Sequence, residues 1–428
     1  MSSKDVLLYF GTEEAKVTAG QDSDCQVNLK KKDCQIYNIS ADAEELKTAC
    51  ESDGNAYIFM GADSSVSTNQ ATPDNYQLTN ITSGTKIIRG NGGKVQQSTD
   101  DNKTLTTEGG QIKLFNVTGS STILEINNLT FTASDTVETS ALDGALICVD
   151  DGATVILKQC YINGMSMSNQ GISLIYVKSG GKLLVENCTF YNNTSTNKGS
   201  ASFSECIRIE NGAQVEVVSC NFETNGNDIM SNAAAIENSG SCRITNTTFK
   251  DNLAQRGGAI MNNETGILEI ESSTFDSNTC TSSGYYAMRG GAIFIQGGTV
   301  KIKDSTFTGN ETLGQNASEG TANGEFQKLG GGAISLKMGS LTLQNTRFDN
   351  NSVTSTSKND AYGYGGAVLI EQSDANLFLK DASGAAMDIA SYINKYMSGN
   401  TTAKTDAGAN IYCNGGTING TVYTKAWE

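Results

Sequence analysis

"RGGAIMNNETGILEIESSTFDSN", residues 256–278, decides the fold. Two glycines and an alanine open the stretch, Phe-x-x-Asn closes it, and the chain then repeats the pair. "RGGAIFIQGGTVKIKDSTFTGN" runs from Arg289, "GGAISLKMGSLTLQNTRFDNN" from Gly331, and "GGAVLIEQ" opens at Gly365. From Gly257 to Phe275, Gly290 to Phe307 and Gly331 to Phe348 the interval is 18, 17 and 17 residues. From each phenylalanine, beginning with Phe249, to the next GGA it is 8, 15, 24 and 17. One arm is fixed and the other is free, as in a solenoid whose stacked strands keep their length while excursions vary.

Aligning the chain on Phe131, Ile162, Phe190, Phe222, Phe249, Phe275, Phe307 and Phe348 brings out further columns. Five residues earlier stand Ile126, Leu157, Val185, Val217, Ile244, Ile270, Ile302 and Leu343, and seven earlier stand residues such as Leu124, Leu268, Val300 and Leu341. Side chains two apart leave the same face of a strand. The residues between them are mostly polar, among them Glu269, Glu271, Lys301 and Lys303, giving the apolar-in, polar-out alternation of a half-buried strand. Two residues before the phenylalanine the side chain is small or a thiol (Cys160, Cys188, Cys220, Thr247, Ser273, Ser305, Thr346), which suits a bend in a narrow interior. The expected fold is all-β: a right-handed parallel β-helix of roughly twelve coils, on the order of 50 to 60 Å long at ~4.8 Å per coil.

Within this scheme the glycine pairs Gly257-Gly258, Gly290-Gly291, Gly331-Gly332 and Gly365-Gly366 permit a tight turn into strands headed by Ala259, Ala292, Ala333 and Ala367. The phenylalanines stack. Asn193, Asn225, Asn252, Asn278, Asn310 and Asn351 lead out of the strand, where asparagine tolerates left-handed geometry and can bond its own backbone or the asparagine of the next coil. "SADAEELKTACESDGN" predicts a short capping helix, with Ser40 or Asp42 as N-cap, Ala43, Leu46 and Cys50 on one face and Gly54 as the stop. Such a cap covers exposed strand edges. The organisation expected is an unplaced segment 1–35, a cap 36–75 and a β-helix 76–428. The repeats are strongest at 170–370, a helical insertion falls near 384–398, and residues 408–428 form a last coil.

The net charge of -16 argues against nucleic acid and anionic membranes as partners. No apolar run approaches the ~18 residues needed to span a bilayer, and "MSSKDVLLYF" is too short in its apolar core for a secretory leader. The absence of histidine removes the Ser-His, Cys-His and His-metal constellations together. A single proline, Pro73, leaves strands uninterrupted. Of the 11 cysteines, Cys160, Cys188 and Cys220 share one inward column, Cys242 lies in another and Cys206 replaces the alanine after the glycine turn; buried small hydrophobes are the reading. No C-x-x-C pair suggests zinc, and a Cys25–Cys34 bridge is left open. No cofactor or metal is expected.

The GGA-[Ile/Val] and Phe-x-x-Asn pair resembles the repeats of the polymorphic outer-membrane proteins first defined in chlamydiae. Full pairs cover about residues 250–370, and degraded partners at Ala233-Ala234-Ala235 and Ser204-Glu205-Cys206 extend the likeness back to about 170. The resemblance implies a cell-surface, outer-membrane or extracellular passenger, an adhesin that meets a host or neighbouring-cell protein or glycan, with the repeat motifs themselves contributing to attachment. The ending "GTINGTVYTKAWE" is not the membrane barrel of the autotransporter members. The N-terminal third is similar instead to the caps of pectate-lyase-like proteins.

That second likeness supplies a rival, a lyase or hydrolase acting on acidic polysaccharide. Such enzymes need clustered carboxylates with calcium and a basic residue, or a carboxylate pair across the scissile bond. Asp150-Asp151 precedes Gly152 and reads as a turn, and Arg256 and Arg289 read as a surface ladder at one repeat position. The expectation is therefore a non-enzymatic chain. A structural surface layer or fibre is a third reading. Recognition is expected on the long excursions 311–329 and 352–365, with Tyr285, Tyr286, Tyr362 and Tyr364 as candidates. Asn-x-Ser/Thr triplets, at Asn187, Asn246, Asn310 and Asn400 among others, imply glycans only in a eukaryotic secretory route.

Overall fold

The computed structural model describes residues 6–10, 13–17, 34–40, 43–67, 77–90, 102–108, 113–133, 141–142, 146–167, 173–195, 205–228, 232–282, 288–314, 329–355, 363–403 and 407–428. Parallel strands stack coil upon coil through nearly all of them. Each repeat such as 257–282 lays down four short arms: Ile260–Asn262, Ile267–Glu271, Thr274–Asp276 and Thr279–Ser282. Every arm pairs in parallel with its counterpart one repeat later, Ile270 opposite Ile302 and Phe275 opposite Phe307. In the five-residue arm twelve strands succeed one another, from Cys34–Ile39 to Ala375–Lys380, and the phenylalanine arm forms an 11-stranded sheet.

The corners explain why the chain can turn so sharply. Asn187, Ser219, Asn246, Ser272, Asp304 and Asn345, three residues before each phenylalanine, hold φ between 47 and 53°. This left-handed residue is the bend expected between the two apolar columns, and it turns the next side chain back into the core. A second left-handed corner lies at Asn192, Thr224, Asp251, Ser277, Gly309 and Asn350. It falls one residue before the motif asparagine, so the left-handed geometry assigned to that asparagine belongs to its neighbour. The strands after the glycine pair likewise start at Ile260, Ile293, Ile334 and Val368, one residue past the alanines expected to head them.

The core is one continuous column. Ile244, Ile270, Ile302 and Leu343 are at most 2 % exposed, and the phenylalanines from Phe131 to Phe348 are wholly buried. Burial of this kind, at roughly 25 cal/mol per Å² of apolar surface, holds a solenoid together coil by coil.

Both ends are covered. Before the stack, β1 (Val6–Phe10) and β2 (Glu13–Val17) form an antiparallel hairpin. Helix α1 (Ala43–Glu51) buries Leu46, Ala49 and Cys50, and the N–H and hydroxyl of Ser40 both donate to Glu45. The sheet begins at Cys34, so the capping segment also contributes two rungs. Helix α2 (Ile389–Tyr396), capped by Asp388, occupies the predicted insertion; its fully buried Tyr392 donates to the carbonyl of Thr346 at 2.9 Å. Met397 then takes the phenylalanine position opposite Phe348. Residues 408–428 do not make a whole coil. Strand Ile411–Ile418 completes the stack, and Thr421–Trp427 folds back antiparallel on it, so the last rung is closed by its own chain. No helix among the described residues is long and apolar enough to cross a membrane.

Candidate functional site

Every repeat-motif residue lies inside the scaffold. The rings of Phe190, Phe222, Phe249, Phe275, Phe307 and Phe348 stack nearly parallel with centroids 4.5 to 5.0 Å apart. Asn193, Asn225, Asn252, Asn278, Asn310 and Asn351 form an amide ladder in which each Nδ2 donates to the next Oδ1 at 2.9 to 3.0 Å. Asn400 extends it and passes its own amide to Asn410 at 3.0 Å. Each Nδ2 also donates to the backbone carbonyl in the phenylalanine column one coil back, Asn278 to Phe249 at 2.9 Å and Asn193 to Ile162 at 3.1 Å. Buried amides saturated in this way fix register rather than bind a ligand. Asn310 and Asn400, both sequons, are therefore closed to a glycan in the folded chain, whereas Asn187 and Asn246 sit exposed at corners.

The glycine pair divides its work. The first glycine holds positive φ, +63° at Gly257, +71° at Gly290, +67° at Gly331 and +65° at Gly365. The second faces the next coil so closely that a Cβ on Gly291 would stand 2.0 Å from the carbonyl oxygen of Gly332. Ala259, Ala292, Ala333 and Ala367 are fully buried. The motif is thus spent on closing the coil, and none of it faces outward.

The thiol and hydroxyl column does more than fill a narrow space. The N–H of Cys160 donates to Sγ of Cys188 at 3.3 Å, that of Cys188 to Sγ of Cys220 at 3.4 Å, and that of Cys220 to Oγ1 of Thr247 at 3.3 Å. Thr247 and Ser273 continue the series. Side chains here need an acceptor as well as small volume. Cys50, Cys160, Cys188, Cys206, Cys220, Cys242, Cys280 and Cys413 carry no disulfide, and burial pushes Cys50, Cys242 and Cys280 up to about 12, which leaves these three protonated and unreactive at neutral pH. Cys25 lies outside the described residues, and with it the Cys25–Cys34 question.

Arg289 departs from the expected surface ladder. Its backbone does stack on Arg256, but its Nε donates to Glu371 at 2.8 Å with the two side chains only 14 % and 3 % exposed. Glu371 also accepts from the hydroxyl of Ser335. Gly330 follows Arg289 in the same backbone ladder. The pair is a buried cross-brace, because each charge satisfies the other where water is excluded.

Of the candidate tyrosines, Tyr285, Tyr286 and Tyr362 lie outside the described residues, as do 315–328 and 356–362 of the excursions. Tyr364 packs against Tyr412 at 4.5 Å between centroids.

Two outward-facing clusters escaped the sequence reading. On the short arms of the early coils, the hydroxyl of Tyr176 donates to Glu210, Arg208 lies over its ring at 5.7 Å, and Lys178 bonds Asp150 at 2.9 Å. Burial and the Glu210 bond raise the Tyr176 phenol. Asp151 and Gly152 beside it form the expected turn, with φ of 49° and 76°. On the five-residue arms of the later coils, a groove enclosing about 240 Å³ runs across Arg243, Glu269, Lys301 and Thr342 in one column and Glu271, Lys303, Gln344 and Lys380 in the next. Lys301 bonds Glu269 at 3.1 Å and Lys303 bonds Glu271 at 2.6 Å. The Glu271 contact raises Lys303, and the amide of Asn345 lowers the neighbouring Asp304. Each residue of the groove is plain polar alternation along its own strand. Only reading across coils aligns Glu269 with Lys301 and Glu271 with Lys303. Among the described residues no group of three His, Cys, Asp or Glu side chains converges as a metal ion would need.

With this geometry in place, comparison with known proteins gives one match. Residues 113–292 match the family model of the right handed beta helix region. That span covers the coils from the first complete ones to the second GGA, and the stacked parallel sheets agree with it: the chain is an all-β right-handed parallel β-helix. No curated protein and no solved structure matches the chain.

Proposed function

We propose that this β-helix is a non-enzymatic binding rod, displayed at a cell surface or secreted, that attaches to a protein or glycan of a host or neighbouring cell. The observation that carries the reading is the division of labour within the repeat. The glycine, alanine, phenylalanine and asparagine of the repeat motif are consumed by the scaffold wherever they occur, which frees the outward positions to vary from rung to rung. Those positions hold in-register polar and charged side chains on a rigid rod, the arrangement in which loops and outer faces commonly bear recognition. Attachment is thereby assigned to the outer surface instead of the motif side chains themselves.

The test is binding of the fluorescently labelled chain to cultured cells. Saturable binding, displaced by unlabelled chain, is expected. Binding no greater than that of an unrelated acidic β-helix would overturn the reading. Release of unsaturated ends from a uronate polymer, followed by ultraviolet absorbance with and without calcium, would establish the lyase rival in its place.

A further inference from the structure

Along the outer face of the five-residue arms the side chains change character partway up the rod. The central outward column runs in register from Ile36 through Tyr57, Ile87, Glu125 and Ile156 to Leu184. In the next rungs it turns to Glu216 and Arg243. A strand face in contact with water carries polar residues, as these later rungs do. The earlier ones are apolar but for Glu125, whose carboxylate accepts from the amide of Asn127 at 2.9 Å and meets Lys158 at 3.9 Å. Ile123 stands on the same face of that rung, and the ring of Phe59 lies 5.8 Å from that of Tyr57. Ile36 is 46 % exposed, and Ile87, Ile123, Ile156 and Leu184 are partly exposed. The strip is roughly 24 Å long at ~4.8 Å per rung. A contiguous apolar surface of this kind marks a place where something docks.

The chain holds a cover of matching chemistry. In the hairpin of β1 and β2 the register pairs Val6 with Val17, Leu8 with Ala15 and Phe10 with Glu13. Directly opposed residues share a face, so one face is apolar except for Glu13, and Leu7, Tyr9, Glu14 and Lys16 take the other. Among the described residues these two strands pair only with each other. A lone two-stranded hairpin is marginally stable in water until its apolar face packs on something. Its strands, roughly 17 Å long at ~3.4 Å per residue, fit the strip, and Arg89, Lys158 and Lys182 on the strip's flanks suit Glu13. Residues 18–33 reach about 50 Å at full extension, far enough to bring the hairpin over any part of the strip. A tether of this length keeps it there at an effective concentration on the order of millimolar. A second copy has no such advantage, and two chains of net charge -16 repel one another. We propose that the N-terminal hairpin, residues 6–17, docks through its Val6, Leu8 and Phe10 face on the outer strip from Ile36 to Leu184, as a second layer about 10 Å above the sheet. The segment that fits no coil thus covers the apolar part of the arm, and the charged part from Glu216 onward stays open. The proposal stands apart from the reading of the chain as a binding rod.

Photocrosslinking of the full chain tests it. With Ile156 replaced by the photoreactive benzoylphenylalanine, irradiation and tryptic mass mapping should join position 156 to the hairpin peptide 5–16. The product should be a monomer, formed in a yield that does not change on dilution. L8E/F10E puts charge on the docking face, in strands that pair with none of the stack. It should lower the yield at least about tenfold, as loss of two buried apolar side chains implies. The same label at Lys301, on the charged part of the arm, should not capture the hairpin. Crosslinked dimers would assign the strip to a second copy and overturn the proposal. So would failure to capture the hairpin peptide, a yield for L8E/F10E within about twofold of the parent, or equal capture from position 301.

Discussion

Asn278 donates from Nδ2 to Oδ1 of Asn310 at 2.9 Å, while its own Oδ1 accepts from the N–H and the Nδ2 of Asn252 at 3.2 and 2.9 Å. Every polar atom of this buried side chain is thus engaged with a neighbouring coil. The ladder pins each corner to the next, and it makes register a shared property of consecutive coils.

Removing one member should consequently cost more than one hydrogen bond. N278A leaves the N–H and amide of Asn252 and the carbonyl of Phe249 short of a partner within the core. With each orphaned buried group costing about 1–3 kcal/mol, a loss of about 3 kcal/mol or more is expected. Urea denaturation checks it. N187A, at an exposed left-handed corner, should lose only the roughly 1–2 kcal/mol that such geometry costs, and equal losses at the two sites would contradict the ladder's role.

The period of the repeat, the inward columns and the bend between them were legible in the sequence because all three arise from side chains that recur at fixed spacing. Phe275 over Phe307 follows from counting. What spacing could not show was the third dimension of each corner. Nothing along the strand distinguishes Asn278 from Ser277 as the left-handed residue, and only the backbone assigns φ of 55° to Ser277. Arg289 was misplaced for a similar reason. Its partner Glu371 lies 82 residues away, a separation that spacing along one repeat does not reveal. The groove was hidden because the pairing of Glu269 with Lys301 runs perpendicular to the chain.

The second glycine of each pair offers a steric test. At Gly291 an added Cβ would lie 2.0 Å from the oxygen of Gly332 and 2.7 Å from the backbone of Glu311, so two coils must separate to admit it. G291A should lose about 3 kcal/mol, the upper part of the overpacking range. At Gly420, φ is +80° but nothing stands within 4 Å, and G420A should lose only the 1–2 kcal/mol that left-handed geometry costs. Denaturation midpoints that place the two variants in the reverse order would refute the packing argument.

The cap supplies a prediction in pH. Lys86 occupies an inward position in line with Leu124 and is 1 % exposed. Its Nζ donates to the carbonyls of Ser52 and Gly54 just beyond helix α1, so a core lysine docks the capping helix from below. Burial holds its ammonium below the ordinary value of 10.5. A lysine whose folded pKa is depressed charges less readily in the folded chain, and the unfolded chain binds the extra proton. Its penalty on folding is therefore complete below the folded pKa and fades as pH rises from there towards 10.5. K86M removes the titration while filling similar volume. The stability of wild type relative to K86M should accordingly rise with pH across the alkaline range below 10.5, read from urea melts at successive pH values. A difference that stays flat or falls would mean that the Lys86 amine is not held in the core as its contacts with Ser52 and Gly54 require.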